Sequence, residues 1–254
     1  MSDPVTRRSP GTQPSLPLHV LPLSDDLHPV IIRIRPLRPR GSKVEVHLDR
    51  GAPLQVMLEA LERHRLAVGD SLPPDRRHHL LEDDAELSVR EAALNLLSYR
   101  ARTRSELRRR LRRKGFRPAR IDVCLDRLEE KGLIDDASVA AAFVRDRLRH
   151  KPRGRSALSS ELRSKGVSAE VADRTIESVF EEAETDDRRL ARRVAEGWVA
   201  RQPRETVRAL VSDDRPAERT RSRRRLVGYL ARRGFRGAAL TEGIHRAREL
   251  AKDG

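Results

Sequence analysis

The chain has 254 residues, enough for one or two ordinary domains or for an array of smaller units. Its 54 Lys and Arg residues outnumber 39 Asp and Glu residues, and the resulting net charge of +15 favours polyanionic partners such as nucleic acid or an acidic protein surface. A single cysteine excludes an internal disulfide framework, and an aromatic content of 3% argues against binding a single strand by base stacking.

The first third of the chain divides into two segments. Residues 1–27 contain five prolines and little apolar periodicity, which predicts a disordered leader. Residues 28–85 predict a small β-rich module. A β-branched run at 30–34 and a strictly alternating run at 44–48 are typical of strands, and a short helix is expected at about 54–65. We therefore expect a hairpin or a three-stranded sheet packed on a helix.

From residue 88 onward, apolar residues recur at helical spacing, and the strongest signal is an internal repeat. The pattern Leu-x3-Leu-x3-Gly occurs three times, ending at Gly115, Gly166 and Gly234, and the first two glycines lie 51 residues apart. The acidic pair Asp135-Asp136 recurs at the same distance as Asp186-Asp187. We expect each glycine to end a helix in a left-handed conformation and each acidic pair to cap a helix start.

The repeat predicts three tandem three-helix units, at 86–133, 134–182 and 183–254. The fold class is therefore mainly α, with the β-rich module and the leader in front. The third copy is 17 residues longer than the 51-residue step, and we place the insertion near 212–225, as an extended connection or a longer helix.

Positive charge is predicted to concentrate on the second helix of the first and third units. With Leu107 and Leu111 placed inward, the basic residues around them point outward or lie on the flanks. The predicted contact residues are Arg108, Arg109, Arg112, Arg113 and Lys114 in the first unit, and Arg221, Arg223, Arg224, Arg225 and Arg232 in the third. The corresponding face of the middle unit is nearly neutral. We therefore expect the two outer units to contact DNA phosphate or an acidic protein surface.

No constellation of catalytic residues is apparent. The chain has no Gly-rich phosphate loop, and Cys124 lies on an apolar helical face, where a core position is expected. We therefore predict no catalytic residue, no cofactor and no metal site. Two other functions stay open: a DNA-binding protein that uses one unit like a helix-turn-helix, or a helical scaffold for another protein.

These features resemble the RecX family of bacterial recombination regulators. The matching motifs are Arg104-Ser105-Glu106-Leu107 with Gly115-Phe116, then Gly132-Leu133-Ile134-Asp135-Asp136 before Phe143 and Arg147, then Glu161-Leu162-x2-Lys165-Gly166, with Gly234 in the weaker third copy. The order and spacing agree best over residues 88–180.

The resemblance implies an elongated, curved array that binds the RecA–DNA filament and reaches DNA directly or through that filament. Such a protein restrains the strand exchange and ATP hydrolysis of RecA in recombination, DNA repair and the SOS response, and catalyses no reaction itself. We expect a monomer. The lack of a membrane span and of a secretion signal predicts a cytoplasmic location.

Overall fold

The structure, a computed structural model, describes residues 28–253, and the leader predicted at 1–27 lies outside them. The chain forms two compact units with a boundary at Asp84. The first contains an antiparallel sheet of strands β1 (Ile31–Pro36), β2 (Lys43–Leu48) and β3 (Leu54–Met57), in that order, followed by helix α1 (Leu58–Arg63).

The alternating pattern of β2 explains the core of the first unit. Val44, Val46 and Leu48 are buried, and residues between them are more exposed. Across the sheet Val44 pairs with Val56, which is also fully buried. Because side chains at every second position of a strand share a face, these residues form one apolar surface.

The prediction of a helix at 54–65 is wrong for its first four residues. Leu54–Met57 forms strand β3, because Leu54 and Val56 continue the buried face of β2, and α1 begins only at Leu58. The next helix, α2, begins at Pro74 rather than near residue 88. Proline is favourable at the first helical position, since it has no N–H that would need a partner there.

The second unit is built from helices alone. They are α2 (Pro74–Tyr99), which carries the boundary, then α3 (Arg104–Arg113), α4 (Pro118–Glu130), α5 (Asp136–His150), α6 (Arg155–Ser164), α7 (Ala169–Glu182), α8 (Asp187–Val199), α9 (Arg204–Arg208), α10 (Pro216–Ala231) and α11 (Gly237–Asp253). The helices α3, α6 and α10 carry the repeated Leu-x3-Leu pattern and are called the second helices below. The extra length of the third repeat forms α9 and extends α10 to 16 residues, against 10 in α3 and α6.

The repeated leucines place the second helices in the core. Leu107 and Leu111 of α3 are fully buried in a cluster with Ile121 and Leu125 of α4. The later helices share one continuous cluster, which includes Phe180 of α7. Burying one such side chain stabilises a fold by ~1.5–3 kcal/mol, so these contacts fix the register of each helix. None of the helices within residues 28–253 has a stretch long and apolar enough to cross a membrane.

Candidate anion-binding surface

Helix α3 presents an exposed arginine cluster. The side chain of Thr103 caps the helix by accepting from the backbone N–H of Glu106 at 3.2 Å. Since Leu107 and Leu111 face the core, the opposite face carries Arg109, Arg112 and Arg113, which are exposed. These three arginines, the α3 cluster, make no ion pair with any residue of 28–253, so their charge is available to a partner.

The two remaining predicted contacts of the first repeat behave differently. Arg108 is half-buried and donates from Nε to Oδ1 of Asp122 at 2.7 Å. It serves the packing of α3 on α4 and is not a free cation. Lys114 is exposed at the C-terminal cap of α3, where its backbone N–H bonds the carbonyl oxygen of Arg110 at 3.2 Å. The side chain of Lys114 therefore extends the positive charge of the α3 cluster.

Helix α10 carries a second exposed cluster. It consists of Arg221, Arg223, Arg224 and Arg225, which are exposed around the buried Ser222, and is called the α10 cluster below. Arg232 is exposed just after the helix. Within the described part of the chain no carboxylate pairs with these five arginines. Both sets of outward arginines predicted on the outer repeats are thus on the surface.

The middle repeat is more basic than its own sequence indicates. A groove of about 450 Å³ runs along α6 and is lined by Arg163 of that helix together with Arg232 and Arg236. Arg153 also lines it and lies 2.7 Å, Nε to Oε1, from Glu161. The prediction of a nearly neutral middle face was incomplete, because the third repeat brings its own arginines to α6.

Helices α3 and α6 meet at the loop that contains Gly166. The loop after α6 lies on the start of α3, where Thr103 Oγ1 donates to the carbonyl oxygen of Lys165 at 2.8 Å. A Cβ at Gly166 would overlap the side chain of Ser105. Only glycine fits this contact, which fixes the end of α6 against the start of α3.

The same junction recurs one repeat later. The loop after α10 lies on the start of α6, where the backbone N–H of Gly154 donates to the carbonyl oxygen of Arg233 at 2.8 Å. A Cβ at Gly234 would lie 2.5 Å from the backbone nitrogen of Ala157. The second helices therefore follow one another in a row, each C-terminal end on the previous N-terminal end. The α3 cluster, the α10 cluster and Arg163 all belong to this row.

The acidic pairs connect each of the first two second helices to the first helix of the next repeat. Asp135 caps its own helix α5 by accepting from the backbone N–H of Ser138 at 3.0 Å, as predicted. Asp136 instead accepts at 2.8 Å from the backbone N–H of Arg104, the first residue of α3. In the next repeat Asp187 accepts from Arg155 of α6 at 3.0 Å. Each pair thus satisfies unpaired N–H groups at the starts of two helices.

The two positions of a pair differ in their titration. Hydrogen bonds from the side chain and backbone of Ser138 hold the pKa of Asp135 below its ordinary value. Burial raises the pKa of Asp136, against the opposing hydrogen bond from Arg104, and burial likewise raises that of Asp187. The second carboxylates are therefore enclosed structural groups and not free ligands.

Three of the four acidic residues of α4 are paired with arginines of α3. Arg104 donates to Oδ1 of Asp126 at 2.6 Å and to Oε2 of Glu129 at 2.8 Å. Together with the pair between Arg108 and Asp122, these bonds attach α4 to α3. These three carboxylates therefore leave the positive charge of the α3 cluster uncompensated.

The remaining motif residues are structural. Gly115, Gly166 and Gly234 have φ of +89°, +85° and +86°, the left-handed conformation expected of each. Leu162 is fully buried. Phe143 is half-buried between two cations, with the Arg147 guanidinium 4.4 Å and the Lys165 ammonium 5.1 Å from its ring centroid.

Cys124 is buried, as predicted for a core residue, and burial raises the pKa of its thiol. Among residues 28–253 no three His, Cys, Asp or Glu side chains are grouped so that they could hold a metal ion. Sequence reasoning missed the groove residues Arg153 and Arg236. The 51-residue offset between Arg102 and Arg153 was the available signal for the first, since both stand just before a second helix.

Comparison with known proteins identifies the repeats. Residues 90–128 match the family model described as RecX, first three-helix domain, and residues 135–176 match RecX, second three-helix domain. The curated Regulatory protein RecX of a Mycobacterium species is 37% identical over 154 residues, which are 61% of this chain and 78% of the relative. That of Mycolicibacterium smegmatis is 37% identical over 173 residues, 68% of this chain and 86% of the relative.

A crystal structure of regulatory protein RecX supports the fold. It superposes with a TM-score of 0.59 at 22% identity, covering 89% of this chain and all of the other. At that identity the likeness concerns the fold alone. The relatives above supply the stronger argument, because each is more than one-third identical and is covered over more than two thirds of its own length. The chain belongs to the RecX family of regulatory proteins.

Proposed function

We propose that this protein binds the RecA–DNA filament and restrains RecA recombinase and ATPase activity in recombination, DNA repair and the SOS response. The observation that carries the proposal is the row of second helices, which presents two clusters of exposed arginines without acidic partners among the described residues. Membership in a family of regulatory proteins named RecX supports the same function. The proposal includes a cytoplasmic monomer that catalyses no reaction itself.

The row suits a polyanionic or acidic partner with a regular surface. The α3 and α10 clusters lie on the first and last members of one row, which the two glycine junctions hold in register. Arginine forks form bidentate bonds to phosphate or carboxylate, so both clusters can engage DNA phosphate or acidic patches of RecA subunits. The groove along α6 places further arginines between the two clusters.

A charge-loss variant tests the role of the α3 cluster. The triple variant R109A/R112A/R113A is compared with wild type for binding to pre-formed RecA filaments across a salt series. If the cluster binds DNA phosphate, affinity falls, and the log–log salt slope decreases by up to ~0.9 for each phosphate that the variant no longer neutralises. The matched control R33A/R35A/R38A removes three exposed arginines of the first unit. Unchanged affinity and slope in the α3 variant would remove that cluster from the interface.

RecA activity distinguishes the proposal from its alternatives. ATP hydrolysis by pre-formed filaments is followed as the protein is added, and inhibition well below a stoichiometric ratio is expected. A helix-turn-helix protein would instead bind bare duplex of one sequence tightly and leave hydrolysis unchanged. A scaffold for another protein would affect neither measurement.

A further inference from the structure

A second concentration of positive charge surrounds a pocket of about 290 Å³. The pocket lies where the end of α5, helix α8 and the end of α10 meet. Its cationic side chains are Lys151, Arg153, Arg193, Arg201 and Arg233, with His150 and Tyr229 beside them. No carboxylate of residues 28–253 lines it. It shares only Arg153 with the groove along α6 and is separate from the α3 and α10 clusters.

The internal contacts of these cations leave much of their charge unmatched. Arg153 is the one cation of the five with a carboxylate partner in the described chain, namely Glu161. Arg193 donates to the carbonyl oxygen of Leu148 near the end of α5. Since a carbonyl carries only a partial charge, this bond positions the Arg193 guanidinium without neutralising it.

Tyr229 positions two of the arginines. Its hydroxyl oxygen accepts from Nη2 of Arg201 at 2.6 Å, and the guanidinium of Arg233 lies 3.7 Å from its ring centroid. Both guanidinium groups are thus held at the pocket by a neutral partner. Burial, with the nearby charges of Arg153, Arg201 and Arg232, lowers the pKa of Arg233, although Tyr229 opposes this. A guanidinium stays protonated even so, and the repulsion is relieved when an anion enters.

We propose that this pocket is a binding site for phosphate groups. Several convergent arginine forks and a tyrosine hydroxyl supply the donors that phosphate oxygens accept from, and arginine geometry matches phosphate bidentately. The volume is at the lower end of small-molecule sites, about 300 Å³, which suits one or two phosphate groups with water and not a whole nucleotide. The phosphate comes either from a free small anion or from the backbone of a nucleic-acid strand.

Calorimetric titration with pyrophosphate tests the site directly. The variant R201Q/R233Q removes the two arginines held by Tyr229, and its affinity for pyrophosphate should be weaker by ~10-fold or more. The control R188Q/R248Q removes two exposed arginines of the same unit that lie outside the pocket and should bind as wild type does. Equal affinities of both variants and wild type, or no binding of pyrophosphate or oligonucleotide to any of them, would overturn the proposal.

A single-stranded oligonucleotide without terminal phosphate distinguishes the sources. If the pocket takes backbone phosphate, R201Q/R233Q weakens oligonucleotide binding and pyrophosphate competes with it. If it takes a free anion, pyrophosphate binding alone depends on the two arginines. K151Q, at an exposed loop position, is the second variant should R201Q/R233Q not fold. It removes one cation of the pocket and should also weaken pyrophosphate binding, by less than the double variant. RecA is absent from these titrations, so their outcome is independent of the filament proposal.

Discussion

The glycine junctions between second helices allow a quantitative test with an internal control. Gly115, Gly166 and Gly234 occupy equivalent positions with nearly equal positive φ. A Cβ at Gly115 has nothing within 4 Å, whereas one at Gly166 or Gly234 would overlap the neighbouring repeat. Replacement by alanine therefore imposes the same backbone strain at all three positions and adds a steric conflict at two.

The magnitudes follow from these two contributions. Left-handed backbone costs an alanine ~1–2 kcal/mol, which is the whole effect expected for G115A. Overpacking adds ~1–3 kcal/mol, so G166A and G234A should lose ~2–5 kcal/mol of unfolding free energy. For a chain of this size, each kcal/mol corresponds to a fall in Tm of about 2–4 °C. Urea unfolding followed by circular dichroism, with thermal scans, measures the difference.

A double variant separates the steric conflict at residue 166 from the backbone strain. In S105G/G166A the side chain that the new Cβ overlaps is absent, and the nearest remaining atom of residue 105, its Cα, is 3.6 Å away. We expect G166A to be less destabilising in the S105G background than alone, with a coupling of ~1–3 kcal/mol. Equal decreases for G115A, G166A and G234A, or no coupling with S105G, would refute the junction as described.

Three further predictions concern the helix caps and the core thiol. D135A removes the cap of α5 and should lower the unfolding free energy by about 1 kcal/mol in urea titrations. D136N keeps the acceptor for Arg104 and should destabilise the protein less than D136A does. Because burial raises the pKa of Asp136 above 3.8 in the folded protein, ionising this carboxyl costs folding free energy, and the cost is absent below that pH and grows as the pH rises through the folded pKa. The unfolding free energy of D136N should therefore rise relative to that of wild type between pH 4 and 7. Cys124 should react slowly with iodoacetamide in the native protein and rapidly in urea, and fast native alkylation would contradict its burial.

Local patterns predicted the helical repeat well. The Leu-x3-Leu spacing requires only the 3.6-residue period of a helix, and a glycine such as Gly115 is the residue that a left-handed helix end favours. Strand β3 was missed, because a four-residue apolar run such as Leu54–Met57 can belong to a strand or to a helix. The pairing of Val56 with Val44 decides between them, and that pairing is not a local property.

The contacts that complete the site join residues far apart in the chain. The bond from Arg104 to Asp136 spans 32 residues, and so does that from Arg155 to Asp187. The 51-residue offset between the two acidic pairs indicated that they have equivalent roles. Spacing alone does not show which carboxylate of a pair bonds to the other helix. The pocket proposed to bind phosphate could be recognised only from the structure. Its residues Arg153, Arg201 and Arg233 share no periodicity in the sequence and meet only through helix packing.

The second carboxylate of each acidic pair also bears on where a fragment containing one repeat should end. A fragment that ends with α4 contains all three helices of the first repeat but lacks Asp136, the acceptor for the first N–H of α3. The family match to that repeat likewise ends at residue 128, before this acceptor. A fragment that keeps this hydrogen bond at the start of α3 has to include the first residues of the next repeat, up to Asp136. The natural end of a first-repeat fragment is therefore the start of α5 and not the end of α4.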